Sequence, residues 1–463
     1  MSTNRNPAAI LGRITVKGRL CLDTPLLIGE GASGEERGNR DIHVLRSKDG
    51  IPFIPGTSLA GALRSFVEDD HPGAAERIFG TSFAQHSGIR GEDMQSAVTL
   101  YDIELSDAKL GMRDGVGIDP VTGRAIDHLK YDYEIVESGA SGTFYAEIVL
   151  RAAHEKDRER LTEVLYRLRD LLRGGFHVGA LATKGFGRMH VADMSIDCYN
   201  FRTAEDVRAW LSPERGHAAL HQEYGNEDLL DSPPAHSDFI IAADFALTGA
   251  LIVRDREDAN KKEGDDKNPD ARMKRNAAEE YIIPGTSIKG ALRHRAAYIL
   301  HALDKEEGFA YDLLDSLMGS TAMRSRFVVE ETIVDAKEHP QTRIRIDRFT
   351  GGTMDSALFS TAPVWRKRDG TRSVTLRFGV RRAADWEAGL CVLLLKDLWL
   401  GRTAIGGEKS VGRGTLEGLH AVIHDRGHRY ELTQGQPFAA DIRQIMQNYV
   451  TALHQMQTEE AGV

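Results

Sequence analysis

The sequence predicts an α+β protein in which one β–α–β–β–α–β unit is built twice in tandem. Three observations predict it. The stretch Ile51-Pro-Phe-Ile-Pro-Gly-Thr-Ser-Leu-Ala-Gly-Ala-Leu-Arg64 returns as Tyr281-Ile-Ile-Pro-Gly-Thr-Ser-Ile-Lys-Gly-Ala-Leu-Arg293. Pro55 and Pro284 lie 229 residues apart, about half of the 463-residue chain, and an internal period of that length marks a duplicated unit. Alternating and amphipathic segments then fall in the same order in both halves. A chain of this length exceeds one ordinary domain, and 41% apolar residues suffice for two cores.

In the first half, residues 10–28 alternate apolar and polar around Ile14 to Leu22, as a half-buried strand does. A glycine-rich polar loop follows over 29–40, too long for a tight hairpin, and long ordered loops in compact domains are usually functional. Pro55-Gly56 then breaks the chain. Thr57 or Ser58 is expected to cap a helix over 59–67, and a helix N-terminus with open N–H groups attracts anions. Residues 98–105 read as a strand, 116–137 as a hairpin and 143–151 as a further strand. Leu161, Val164, Leu165, Leu168, Leu171 and Leu172 share one face of a helix over 158–172. The first of two matching glycine loops, 174–188, leads into a strand over 189–196. This order is that of a ferredoxin-like domain. Residues 204–224 are expected to form a helical appendage, and 225–237 have linker composition.

The second half repeats the order. Strands are expected at 239–253, 326–334, 373–380 and 415–424, helices from Pro284 to about Leu300 and over 383–400, and a hairpin over 345–365. A glycine loop spans 401–414, a charged insertion 254–275, and a C-terminal helix about 439–456. The domains expected are 1–200, a helical appendage and linker at 201–237, 238–430, and the C-terminal helix within 431–463.

The repeat extends beyond one motif. Asp119, Thr122, Gly123 and Asp127 match Asp347, Thr350, Gly351 and Asp355, and Lys184-Gly-Phe-Gly-Arg188 matches Lys409-Ser-Val-Gly-Arg413. Asp41 and Asp270 each lie 14 residues before the repeated proline, and each is followed five residues later by an arginine, Arg46 or Arg275. The surrounding loops differ, yet this acid–base pair keeps its place.

Bulk properties bound the function. The net charge of −10 argues mildly against nucleic acid, but clustering decides, and residues 366–382 hold seven basic residues against one acid. Arg343, Arg345 and Arg348 form another basic group. No run of about 18 apolar residues is present, and no secretory-type segment follows the N-terminus. Cys21, Cys198 and Cys391 are scattered singly, so neither a disulfide framework nor a zinc ribbon is expected, and a reducing cytoplasm fits. In the glycine loop over 401–414 Lys409 comes two residues late for a Walker loop, neither that loop nor the one over 174–188 holds GxGxxG, and the chain has no HExxH or Gly-x-Ser-x-Gly motif. His43 and His177 lie near the candidate sites, with a structural hydrogen-bonding role expected for each.

The Pro-Gly-Thr-Ser element, the Ile-Asp-x-x-Thr-Gly hairpin and the glycine loop before the last strand, seen twice, resemble the RAMP (repeat-associated mysterious protein) superfamily. Each half resembles the backbone subunit of type III CRISPR effector complexes, and the chain resembles two such subunits fused, over residues 10–196 and 238–424. The resemblance implies two ferredoxin-like (RRM-like) palms gripping a CRISPR RNA. It implies that the hairpins, with Ile118, Asp119, Ile346 and Asp347, are thumbs that cross the guide–target duplex and splay a base pair. The family's catalytic aspartate position falls on Asp41, and Asp270 corresponds to it in the second half.

The expected partners are CRISPR RNA, complementary target RNA and other subunits of a type III effector complex, with no membrane. The expected activity is endoribonuclease cleavage of target RNA, with a divalent cation (magnesium or manganese) as cofactor and no zinc. Splaying aligns a 2′-OH with the next phosphate, so the protein supplies position, charge and a proton acceptor. Arg46 and Arg275 are candidates to neutralise phosphorane charge, to pair with the aspartates or to bind backbone phosphate. Gly56, Thr57, Ser58, Arg64, Gly285, Thr286, Ser287, Lys289 and Arg293 are expected phosphate contacts. Lys184, Arg188, Lys409 and Arg413 are expected to line the groove. Recognition delegated to base pairing needs no base reading by the protein. Two alternatives stand beside this reading: a structural subunit without catalysis, and an endoribonuclease that processes CRISPR RNA.

Overall fold

The computed structural model describes residues 6–30, 42–70, 72–81, 95–119, 125–212, 218–225, 238–255, 269–303, 307–320, 322–368, 370–436 and 438–456. Packing divides the chain into two compact units. The first comprises Met1–Gly111, Glu134–Ala182 and Phe186–Ser232, and the second Met112–Tyr133, Thr183–Gly185 and Pro233–Val463. Most of the first hairpin and the tip of the first glycine loop thus belong to the first repeat by sequence and to the second unit by packing. The expected linker, apart from Gly225, and most of the charged insertion lie outside the described residues, as does Asp41.

The first unit is built on strand β1 (Ile10–Leu22), helix α1 (Gly56–Asp70), strands β2 (Val98–Leu100) and β3 (Ser141–Arg151), helix α2 (Arg158–Gly174) and strand β4 (Arg188–Asn200). The sheet runs β4-β1-β3-β2 with every pairing antiparallel. That is fourth–first–third–second, the ferredoxin-like arrangement the alternation predicts. In β1, Val16 lies opposite Ala146 and Ile196, and Leu20 opposite Gly142 and Val191. The period of two sends Val16, Leu20 and Leu22 to one buried face. There they pack with Leu59, Leu63 and Val67 of α1 and Val164, Leu168 and Leu172 of α2.

Two expectations are corrected in this unit. The appendage is not wholly helical: a short helix, Ala204–Leu211, is followed by strand β5 (Leu220–Tyr224), which extends the sheet beside β4. Residues 98–105 are not one strand. The chain breaks after Leu100, and Ile103–Glu104 pair with Phe53–Ile54 instead.

The second unit repeats the plan with β6 (Phe239–Leu247), α3 (Gly285–Ala302), β7 (Phe327–Val329), β8 (Val374–Val380), α4 (Asp385–Trp399) and β9 (Leu416–Asp425). Its order, β9-β6-β8-β7, is the same, and β10 (His428–Thr433) adds an edge beside β9. The first strand ends at Leu247, short of the expected 253. The strand expected over 326–334 is β7 followed by a separate pair of residues, Thr332–Ile333, matched with Ile282–Ile283. Helix α5 (Ala440–Gln455) packs Met446, Tyr449 and Leu453 into the core with Leu390, Leu394 and Leu398 of α4. Tyr449 Oη donates to the buried Asp425 carboxylate at 2.7 Å, so the polar end of the ring is satisfied where its body is buried.

Both repeats project a hairpin. The first pairs Leu110–Ile118 with Ala125–Val136. The second pairs Gln341–Ile346 with Thr353–Ala362 and sets Ile344 opposite Leu358, so it begins earlier than the expected 345.

Candidate nucleic-acid interface

The repeated Pro-Gly element does start a helix in each unit, one turn earlier than expected in the first. Its glycines are required by close approach. A Cβ on Gly56 would lie 2.3 Å from the Leu100 carbonyl oxygen, and one on Gly285 would lie 1.9 Å from that of Lys184. The capping expectation is corrected: α1 begins at Gly56, so Thr57 and Ser58 lie inside it, and in α3 Pro284 occupies the N-cap with no side-chain cap. The Gly56 N–H donates to Asp102 Oδ1 at 2.8 Å. The anion at the α1 terminus is therefore the protein's own carboxylate, placed where the helix dipole favours it. Thr57 is exposed, and Ser58, Thr286 and Ser287 are half-buried.

The basic residues of these helices have structural partners. Arg64 Nη1 donates to the Gly80 carbonyl at 2.8 Å. Arg293 Nη1 donates to the Leu314 and Gly319 carbonyls, with Asp315 on its other nitrogen. In both repeats the arginine satisfies carbonyls at the end of the following helix, Ala75–Phe79 or Glu307–Met318. Lys289 is 7% exposed. Its Nζ donates to Thr183 Oγ1, Ser325 Oγ and the Phe327 carbonyl at 3.3, 2.6 and 3.0 Å. These spend the three donors of an ammonium, so the expected phosphate contact at Lys289 is corrected to a buried anchor. Burial, followed by the charges of Lys184 and Arg293, pushes its pKa down to about 7. Burial also lowers that of Lys184.

The arginines that follow the aspartates are paired as well. Arg46 Nη2 reaches both oxygens of Glu134, at 2.9 and 2.8 Å, and the Val44 N–H donates to the same carboxylate. Arg275 bonds Glu279, Glu338 and the Tyr281 hydroxyl, its guanidinium 4.8 Å from the Tyr281 ring centre. Arg275 is not bonded to Asp270 among the described residues, and Asp41, five residues before Arg46, lies outside them. Asp270 is exposed. Its Oδ2 accepts the Ser360 N–H at 2.6 Å, and its own N–H donates back to the Ser360 carbonyl at 2.8 Å. It therefore sits at the base of the second hairpin. His177 Nδ1 lies 3.0 Å from the Phe186 carbonyl, and His43 Nδ1 lies 4.0 Å from Glu134.

The second glycine loop meets the same hairpin base. Arg413, expected in an open groove, is 2% exposed. Its Nη2 donates to Gln341 Oε1 and Thr361 Oγ1 at 2.8 and 3.1 Å. Glu408 joins it to Arg343 and Arg254. Burial lowers the Arg413 pKa, and Glu408 partly opposes this. Lys409 is exposed. In the first unit Arg188 donates to the Gly174 carbonyl and lies 4.0 Å from Asp23. Arg254 and Glu408 were not among the sequence candidates. Arg254 reads as part of the charged insertion and Glu408 as one residue of a glycine loop, whereas Arg343 stood in a visible basic group.

The hairpins present apolar side chains to solvent. Ile344, Ile346, Phe349 and Leu358 are exposed in the second, and Leu129 and Tyr131 in the first. Asp347 Oδ1 accepts the Phe349 and Thr350 N–H groups and shapes the turn beneath Phe349. Those two bonds lower its pKa. Asp119 is half-buried, and the side chain of Ile118 lies outside the described ones.

Among the described residues no group of three or more His, Cys, Asp or Glu side chains is arranged to hold a metal. A hydrated magnesium ion, however, binds through one or two carboxylates together with substrate phosphates. Asp270 offers one exposed carboxylate with only Oδ2 engaged among the described residues. No described helix is long and apolar enough to cross a membrane.

The sequence model of the RAMP superfamily matches the chain over two regions, residues 20–190 and 235–417. No curated protein matches it.

Proposed function

The chain belongs to the RAMP superfamily, and from that premise we propose that it is a fused pair of guide-RNA-binding backbone subunits of a type III CRISPR effector complex. In this reading the complex cleaves complementary target RNA through Asp41 and Asp270. The observation that carries the reading is the doubling. Two family matches coincide with two sheets of the same strand order, each unit of sequence carrying a hairpin and a glycine loop. Superfamily membership links the chain to CRISPR systems and RNA. The subunit role and the cleavage are our inference.

The exposed apolar residues of the hairpins support a wedge role, since apolar side chains inserted at a base step unstack it. A nucleotide splayed in this way can bring its 2′-oxygen in line with the adjacent phosphorus. The bond from that oxygen to phosphorus forms as the 5′-oxygen leaves, and the 2′-hydroxyl proton passes to a base. Position contributes most of the effect of a carboxylate in this role. Asp270 is held in position by its two bonds to Ser360. A magnesium or manganese ion held there with RNA phosphates would supply charge neutralisation.

A second reading, a backbone subunit that binds without cutting, is favoured by one observation: Asp270 already has a structural task in pinning the insertion to the hairpin. Cut mapping separates the two. The assembled complex is incubated with guide and end-labelled target RNA. We expect Asp41→Ala to abolish one cut and Asp270→Asn another with target binding retained, and chelation to abolish both. An unchanged ladder from the doubly substituted complex would leave the structural reading.

A further inference from the structure

The second repeat carries a charge cluster that the first does not. Glu408, in left-handed backbone conformation at φ 56°, is met by Arg343 at 2.8 Å, Arg413 at 3.0 Å and Arg254 at 3.4 Å. One carboxylate thus faces three guanidinium groups, and among the described residues a surplus of positive charge remains. The arginines are graded by burial: Arg413 lies beneath, Arg343 is 30% exposed at its side chain and Arg254 is 64% exposed. Among the described residues Arg413 Nη1 makes no hydrogen bond despite its approach to Glu408. A guanidinium has five donors in a planar fork, and the two oxygens of Glu408 cannot satisfy three forks.

Position adds meaning to the surplus. Arg413 is bonded to Thr361, the residue after Ser360, which Asp270 holds. The cluster therefore stands one residue along the hairpin strand from that aspartate. The duplication supplies the control. The offsets of the matched motifs set Gly115 and Thr183 of the first repeat against Arg343 and Glu408 of the second, and the equivalent bridges Gly29–Val44 and Arg254–Met273 set Gly29 against Arg254. Only Arg188 is kept, as Arg413. The core of a duplicated fold does not call for these charges, because the first repeat forms the same sheet without them.

We propose that Arg254 and Arg343, seated on Arg413, form an RNA-phosphate subsite particular to the second repeat. Glu408 holds the two arginines in place, and a backbone phosphate takes up their outward donors. Arginine forks match phosphate oxygens in bidentate geometry. This inference rests on the reading of the chain as an RNA-binding protein.

The test uses the full chain, a labelled single-stranded RNA and a titration of salt. Each neutralised phosphate contributes ~0.7 to the slope of log affinity against log salt for single strands. Arg254→Ala/Arg343→Ala is expected to lower that slope by ~0.7 and to weaken binding several-fold. Glu408→Gln is expected to weaken binding, because the two arginines lose the carboxylate that holds them. If the double variant fails to fold, Arg254→Glu, at the most exposed of the three positions, is expected to weaken binding on its own. A wild-type slope and affinity in the double variant, or in Arg254→Glu where the double variant does not fold, overturns the subsite while leaving the RNA reading in place. A wild-type chain that binds no RNA overturns both.

Discussion

Lys289 carries a charge into a place where the fold penalises it. Its donors converge on Thr183, Ser325 and the Phe327 carbonyl inside the second unit, and its pKa falls to about 7. An unfolded lysine titrates near 10.4. Between those values the folded chain binds fewer protons than the unfolded chain, so stability rises with pH across the window. The penalty is fully present below about pH 7 and is relieved as pH climbs toward the unfolded value. Denaturant midpoints at pH 7 and pH 9 should therefore show a gain in the wild type that Lys289→Met lacks; parallel midpoints in the two proteins would refute the assignment. Arg64 and Arg293 carry a related lesson. Their recurrence is legible in the sequence, but not their task. A basic residue at a fixed offset from a helix start reads equally well as a phosphate contact or as a donor to carbonyls across the fold. Both turn out to face the end of the following helix.

At the scale of elements, the glycines of the repeated Pro-Gly motif mark packing as well as turning. Gly285 lies against the backbone of Lys184, and a carbonyl oxygen 1.9 Å from a new Cβ cannot rotate away as a side-chain end can. Gly285→Ala should cost about 1–3 kcal/mol, the range for overpacking, seen as a lower melting temperature; an unchanged melting curve would contradict the contact. The long strands were legible because alternation over ten or more residues has one reading. The strand expected at 98–105 failed because Tyr101 and Asp102 interrupt it, and Asp102 is diverted to cap α1. Strands β5 and β10 were missed because they are short edge strands, mostly exposed, with little hydrophobic pattern. Helix Glu307–Met318 does carry a face of Phe309, Ala310, Leu313, Leu314 and Leu317, a period that has no counterpart in the first repeat. Helix Ala75–Phe79 is too short to display a period.

For the whole molecule, the duplication was readable because identical motifs recur at nearly one offset, and both sheets follow the same strand order. The division of the first hairpin and loop tip was not readable, since sequence order assigns residues 112–133 and 183–185 to the repeat that encodes them. Packing assigns them to the second unit. The divergence of the repeats, with Arg254, Arg343 and Glu408 in one alone, was visible only once the hairpin base and glycine loop were seen together. The central claim is that one chain grips RNA twice. Its most direct test is chemical footprinting of the guide RNA at nucleotide resolution within the assembled complex. Two hyper-reactive, splayed nucleotides per copy of this chain are predicted. Replacing Phe349 and Leu358 by serine should silence the one set by the second hairpin. A single such nucleotide per chain, or a uniformly protected guide, would contradict the account.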